Sequence, residues 1–95
     1  MAAYLIVQVE VTDPDTFEEY KKQVAPTIAA HGGEYIVRGG EMDVLEGEWP
    51  IPRLVIIRFD SMERARKWYH SPEYEGPHKL REASARANLV LVDGV

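Results

Sequence analysis

The chain has no cysteine among its 95 residues. That excludes disulfides, thiolate nucleophiles and cysteine-held metal centres, and it fits a reducing cytoplasm. Histidine is scarce: His31, His70 and His78 are never three or four residues apart, and no HExxH or HxxxH pattern exists. No metal or cofactor is therefore expected, and one isolated histidine is too little to argue for an axial haem ligand. Long apolar runs are missing too, and nothing approaches the ~20 residues of a membrane span. The N-terminal Met1-Ala2-Ala3-Tyr4 has no basic stretch and runs straight into a strand, which speaks against a secretory leader. Basic residues are outnumbered 11 to 16, and the net charge of −5 disfavours nucleic acid and anionic membranes as partners. There is no GxGxxG and no P-loop, and Ser61, Ser71 and Ser84 lack a nucleophile-elbow context.

What is present is an order of patterns. Tyr4–Val11 alternates as a strand, with Leu5, Val7, Val9 and Val11 on one face and Tyr4, Ile6, Gln8 and Glu10 on the other. Asp13-Pro14 reads as an N-cap and first turn, and Phe17, Tyr20, Val24 and Ile28 fall on one helical stripe. Pro26 predicts a kink in that helix, and His31-Gly32-Gly33 ends it. Gly33–Leu45 reads as a strand interrupted at Gly39-Gly40, where paired glycines predict a bulge or a close backbone approach. Glu46–Pro52 is a loop, and Arg53–Phe59 is the most apolar strand and the expected centre of the sheet. Asp60 and Glu63 suggest a capping box, followed by helical turns broken at Ser71-Pro72 and again at Gly76-Pro77. The last helical stretch, His78–Arg86, should turn Leu80 and Ala83 inward before a final strand at Ala87–Val92.

The order is β-α-β-β-α-β, the ferredoxin-like α+β plan: one four-stranded antiparallel sheet with helices on one face, in one domain over residues 1–95. An RNA-recognition domain shares this order, but Arg53–Phe59 lacks its stacking aromatics. A bare sheet face carrying Ile6 and half of the central strand would expose several hundred Å2 of apolar surface. At ~25 cal/mol per Å2, covering it on two copies is worth on the order of 10 kcal/mol before association costs. The expected partner is a second copy, giving a homodimer through the sheet.

Three segments resemble the small "domain of unknown function 1330" family. They are Gly32-Gly33-Glu34-Tyr35-Ile36-Val37-Arg38-Gly39-Gly40, Glu46–Pro50 with Pro52–Val55, and Trp68-Tyr69-His70-Ser71-Pro72-Glu73-Tyr74. The resemblance runs through nearly the whole chain. It implies the dimeric α+β barrel superfamily, whose members include cofactor-independent monooxygenases, isomerase-like proteins and proteins without known chemistry.

Against that background a short set of residues can carry chemistry. Arg38, beside Gly39-Gly40, suits a bidentate grip on a carboxylate or enolate; its plainer role is a solvated strand arginine. Tyr69, His70 and Tyr74 flank the Ser71-Pro72 break, where side chains can converge on a pocket. His70 is of the residue type suited to acid–base catalysis, and its plainer role is a surface histidine beside a cap. Trp49 can lid a pocket or pack on a partner subunit. The reading is a small-molecule site between sheet and helices, with Arg38, Tyr74 and Trp49 as ligand contacts and His70 and Tyr69 as catalytic candidates. The chemistry would be monooxygenase- or isomerase-like, and the alternative is a non-catalytic ligand-binding or regulatory module.

Overall fold

Leu5, Val7 and Val9 are buried on one side of the first strand, and that face seats the helices. A computed structural model describes all 95 residues, in the order β1 (Ala3–Val11), α1 (Pro14–Ala30), β2 (Glu34–Arg38), β3 (Arg53–Phe59), α2 (Met62–Tyr69), α3 (Pro72–Ser84) and β4 (Ala85–Asp93). The four strands lie in the order β2-β3-β1-β4, every neighbour antiparallel. This is the ferredoxin-like α+β fold, as the sequence pattern predicts.

Asp13 caps α1, taking a hydrogen bond from the Thr16 amide, with Pro14 in the first turn. The helix runs through Pro26 to Ala30; Pro26 is exposed, so water can reach the carbonyl it leaves unbonded. The end of α1 is a Schellman turn: Gly32, at φ +76°, donates to Ala29 O and Gly33 donates to Ile28 O. The buried stripe is Phe17, Val24, Thr27 and Ile28, with Tyr20 half-buried beside it.

Four local expectations are corrected. The cap of α2 is Ser61, whose hydroxyl accepts from the Arg64 amide, rather than an Asp60–Glu63 box. Gly76-Pro77 does not break the chain, because Pro77 lies early in α3 and forfeits only one intrahelical bond while its ring is buried. The buried stripe of α3 is then Tyr74, Pro77, Arg81 and Ser84; Leu80 is half-buried and Ala83 exposed. Strand β4 begins at Ala85, directly after the helix, where the Ser84 carbonyl accepts from the Thr12 and Asp13 amides.

The fourth correction concerns β2. It ends at Arg38 and does not resume after the glycines, and the bulge lies between Tyr35 and Val37. Tyr35 pairs with Ile57 and Arg38 with Val55, while Val37 pairs with Ile56. Residues three apart in a regular strand face opposite ways. The extra residue resets the alternation, so Tyr35 and Arg38 both face the helices.

The opposite sheet face carries no helix. Ile6 stands between Ile56 and Val90, with Tyr4 paired to Val92 and Gln8 to Leu54 and Asn88. Val90, Val92 and Ile36 are exposed, and so are Met42, Val44, Leu45 and Trp49 in the segment joining β2 to β3.

Candidate functional site

The helix-facing side of the sheet does not close completely. Leu5, Val7 and Val9 of β1, Val55 and Ile57 of β3, and Phe17 and Val24 of α1 wall a narrow cavity of about 40 Å3. That is room for about three waters, at ~10–15 Å3 each. Its polar lining is unusual in sign. Lys21, Arg38, Arg53 and Arg81 all reach it, together with Tyr20, Tyr35 and Tyr74, and no aspartate or glutamate does.

Each cation is held differently. Lys21 is 2.7 Å from Glu18 and so is neutralised at the surface. Arg38 is exposed at the edge of the sheet and lies over the Tyr35 ring, 4.4 Å from its centroid. Arg81 is buried and its Nε donates to the Tyr74 hydroxyl at 3.4 Å. Arg53 pairs with Val9 across the sheet and so faces the helices. Its Nε is buried without a hydrogen-bond partner. None of the three arginines joins any of the chain's ion pairs.

Gly39 is shaped around Arg53. It adopts φ +68°, and a Cβ there would fall 2.5 Å from Arg53 Nη1. Its amide donates to Leu54 O at 2.9 Å, which pins the turn beside the guanidinium. The left-handed backbone favours glycine here, and any side chain would also displace the Arg53 guanidinium. The close approach foreseen at the glycine pair exists, and its object is a side chain of the same protein.

The tyrosines form the other pole. Burial raises the hydroxyl pKa of Tyr20, of Tyr35 and of Tyr74. They therefore stay protonated at neutral pH and act as hydrogen-bond donors rather than bases. Trp68 packs tilted at 40° against Tyr74, 4.3 Å between ring centroids, and donates from Nε1 to Thr27 Oγ1 at 3.0 Å.

Of the residues singled out by sequence, Arg38 and Tyr74 share this cavity. Tyr69 and exposed His70 line a neighbouring one of about 200 Å3 with Phe59, Ala65, Arg66 and Leu91, and Leu5, Trp68 and Leu89 stand between the two. Trp49 lies in a third, open depression with Met42, Val44 and Leu45. Sequence reasoning missed Arg53, Arg81, Tyr20 and Tyr35 as cavity residues. For Arg53 the signal was strand parity, since Arg53, Val55, Ile57 and Phe59 alternate onto one face. No group of three or more His, Cys, Asp or Glu side chains is placed to hold a metal ion. No helix is long and apolar enough to cross a membrane.

The family described as "Domain of unknown function (DUF1330)" matches residues 2–95. No curated protein matches the sequence. Among solved structures, RPA0582 of Rhodopseudomonas palustris, a protein of unknown function, superposes with a TM-score of 0.82 at 15% identity, covering 99% of this chain and 82% of its own. SnoaB, a cofactor-independent oxygenase from Streptomyces nogalater, superposes at 0.68 with 13% identity, covering 99% and 93%. A dimeric ferredoxin-like protein of unknown function from Bacteroides fragilis superposes at 0.65 with 13% identity, covering 98% and 96%. At these identities the likeness establishes the fold alone.

Proposed function

We propose, for a chain that belongs to the family of domain of unknown function DUF1330, that the cavity between sheet and helices binds a small organic acid as its anion. The observation that carries this is the all-cationic charged lining of that cavity in a chain of net charge −5. Guanidinium groups match carboxylate oxygens two to two, and tyrosine hydroxyls add neutral donors. Unpaired cations in a part-buried site are costly until an anion arrives, so binding and stability are coupled.

The non-catalytic reading gains from the same geometry. The cavity's titratable hydroxyls are held neutral, and His70 lies across Trp68 from Arg38 in the adjoining cavity. A mechanism that joins Arg38 to His70 would need both at one reacting molecule. An oxygenase or isomerase reading is kept for a ligand that reacts by itself once held as an enolate or phenolate by Arg38 and the tyrosines.

Arg38→Met is the direct test, because Arg38 is exposed and its loss should leave the fold intact. Calorimetric titration with small carboxylates should show at least a tenfold loss of affinity, about 1.4 kcal/mol. The melting temperature without ligand should stay within a few degrees of the parent, as for surface substitutions generally. Unchanged affinity would remove Arg38 from the site.

The assembly that accompanies this reading is a homodimer built through the helix-free sheet face. Ile6, Ile56, Val90 and Val92 form its apolar centre. The dimeric Bacteroides fragilis protein shows that this fold occurs paired.

A further inference from the structure

We infer that the anion taken by this cavity is a short dicarboxylate, with Arg53 as a binding residue for one of its two carboxylates. This rests on the organic-acid reading above and goes further, to the charge of the ligand and to a residue not otherwise given a role. The first support is charge balance. Glu18 bonds Lys21 and lies within electrostatic reach of Arg53, but no carboxylate pairs directly with Arg38, Arg53 or Arg81. A single carboxylate would leave two positive charges uncompensated in a partly buried site; a dianion leaves one, at a site whose Arg38 is open to solvent.

The second support is the state of Arg53. A guanidinium has five N–H donors. Its Nε is buried and unpartnered, and Gly39 holds the chain back from its Nη1. A buried donor left unmade costs about 1–3 kcal/mol, and proteins seldom retain one without a use. Arg53 and Arg38 belong to neighbouring strands at one end of the cavity: Arg38 pairs with Val55, two residues beyond Arg53 on the same face. Arg81 lies with Tyr74 on α3. The cationic groups therefore sit on two different walls, sheet and helix, which suits a ligand with an acid at each end. At about 40 Å3 the closed cavity is smaller than a four-carbon diacid, so binding requires Arg38, the exposed member of the lining, to move outward.

Succinate and butyrate make the matched pair, having the same carbon chain and differing by one carboxylate. Titration of the full chain at constant ionic strength should show succinate binding at least tenfold more tightly than butyrate. Arg53→Met should lower succinate affinity at least tenfold, and Arg53→Lys, which keeps the charge but loses the fork, should lower it at least threefold. Circular dichroism of each variant checks that it is folded; should Arg53→Met fail to fold, Arg53→Lys carries the test. Equal binding of the two acids by the parent, or parent-like succinate binding by the folded Arg53 variants, would overturn the inference while leaving the organic-acid reading standing. Binding of neither acid, nor of any other small carboxylate, would overturn both.

Discussion

Trp68→Ala is expected to cost about 3–5 kcal/mol of folding stability, the range for deleting a buried large aromatic. Trp68 is only 2% exposed. Its ring centroid lies 5.6 Å from that of Phe59 and 4.3 Å from that of Tyr74, so it joins β3, α2 and α3. Its Nε1 donates to Thr27 Oγ1, which in turn donates to Val24 O at 2.7 Å, so α1 is joined as well. Truncation leaves a void and removes the only tryptophan–threonine link between α1 and α2. A small domain has roughly 5–15 kcal/mol to lose, so this change should leave the protein close to its unfolding threshold at 37 °C. Urea denaturation should show the midpoint falling steeply with little change in slope. Trp68→Phe should cost less, about 1–3 kcal/mol, because the packing persists and only the Thr27 hydroxyl loses its donor. Trp68 also separates the Arg38 cavity from the His70 cavity, so alanine should merge the two.

Ile56→Lys is expected to convert the proposed dimer into a folded monomer. Ile56 lies at the centre of the helix-free face, paired to Ile6 on one side and to Val37 on the other. An ammonium placed there meets its own symmetry mate or apolar surface, and either removes at least ~3 kcal/mol from association, more than a hundredfold in Kd. Ile57 and Phe59, which face the helices, are untouched, so the core should survive. Sedimentation equilibrium at micromolar concentration should give twice the 10.8 kDa chain mass for the parent and the single-chain mass for the variant. A parent already monomeric under these conditions would contradict the proposed assembly. The two substitutions separate cleanly: one weakens the fold through the helix side of the sheet, the other weakens pairing through the bare side.

The two sides of β1 explain why so much of the fold was legible. Leu5, Val7 and Val9 announce a helix-covered face, and Tyr4, Ile6, Gln8 and Glu10 a different one. The Asp13-Pro14 start and the His31-Gly32-Gly33 stop bracket α1 to within a residue. Two of the four misplacements share one cause, the reading of proline and glycine as breaks. Pro77 sits early enough in α3 to be absorbed, and once the helix continues its buried stripe moves onto Tyr74 and Arg81. Gly39 does not interrupt β2 but ends it, and the true bulge involves no glycine. That bulge could not be read from residue types, since Tyr35, Ile36 and Val37 are all ordinary strand formers. Its consequence is large, because it turns Arg38 to the same side as Tyr35 and so into the cavity.

The candidate site was legible only in part for a related reason. Arg38 and Tyr74 drew notice through their neighbours, a glycine pair and a chain break. Arg53 has no such marker and looks like the solvated first residue of a strand. Its role emerges from tertiary packing: the turn at Gly39 and the Val9 register together bury its Nε. Tyr69 does meet its neighbours across the Ser71-Pro72 step, with ring centroids 5.2 Å from His70 and 5.6 Å from Tyr74, but His70 and Tyr69 open onto the neighbouring cavity while Tyr74 lines that of Arg38. Trp49 lies exposed in the segment joining β2 to β3, in a depression formed by that segment alone.

Arginine side-chain Nε–Hε spectra recorded during a titration with succinate show whether the cationic cavity takes up a dicarboxylate. The Arg38, Arg53 and Arg81 signals should shift together and saturably, with the Arg53 Nε–H becoming more protected from exchange, while Arg58 and Arg64 stay still. Motionless Arg38, Arg53 and Arg81 signals, or shifts confined to Arg66 beside His70, would contradict uptake in that cavity.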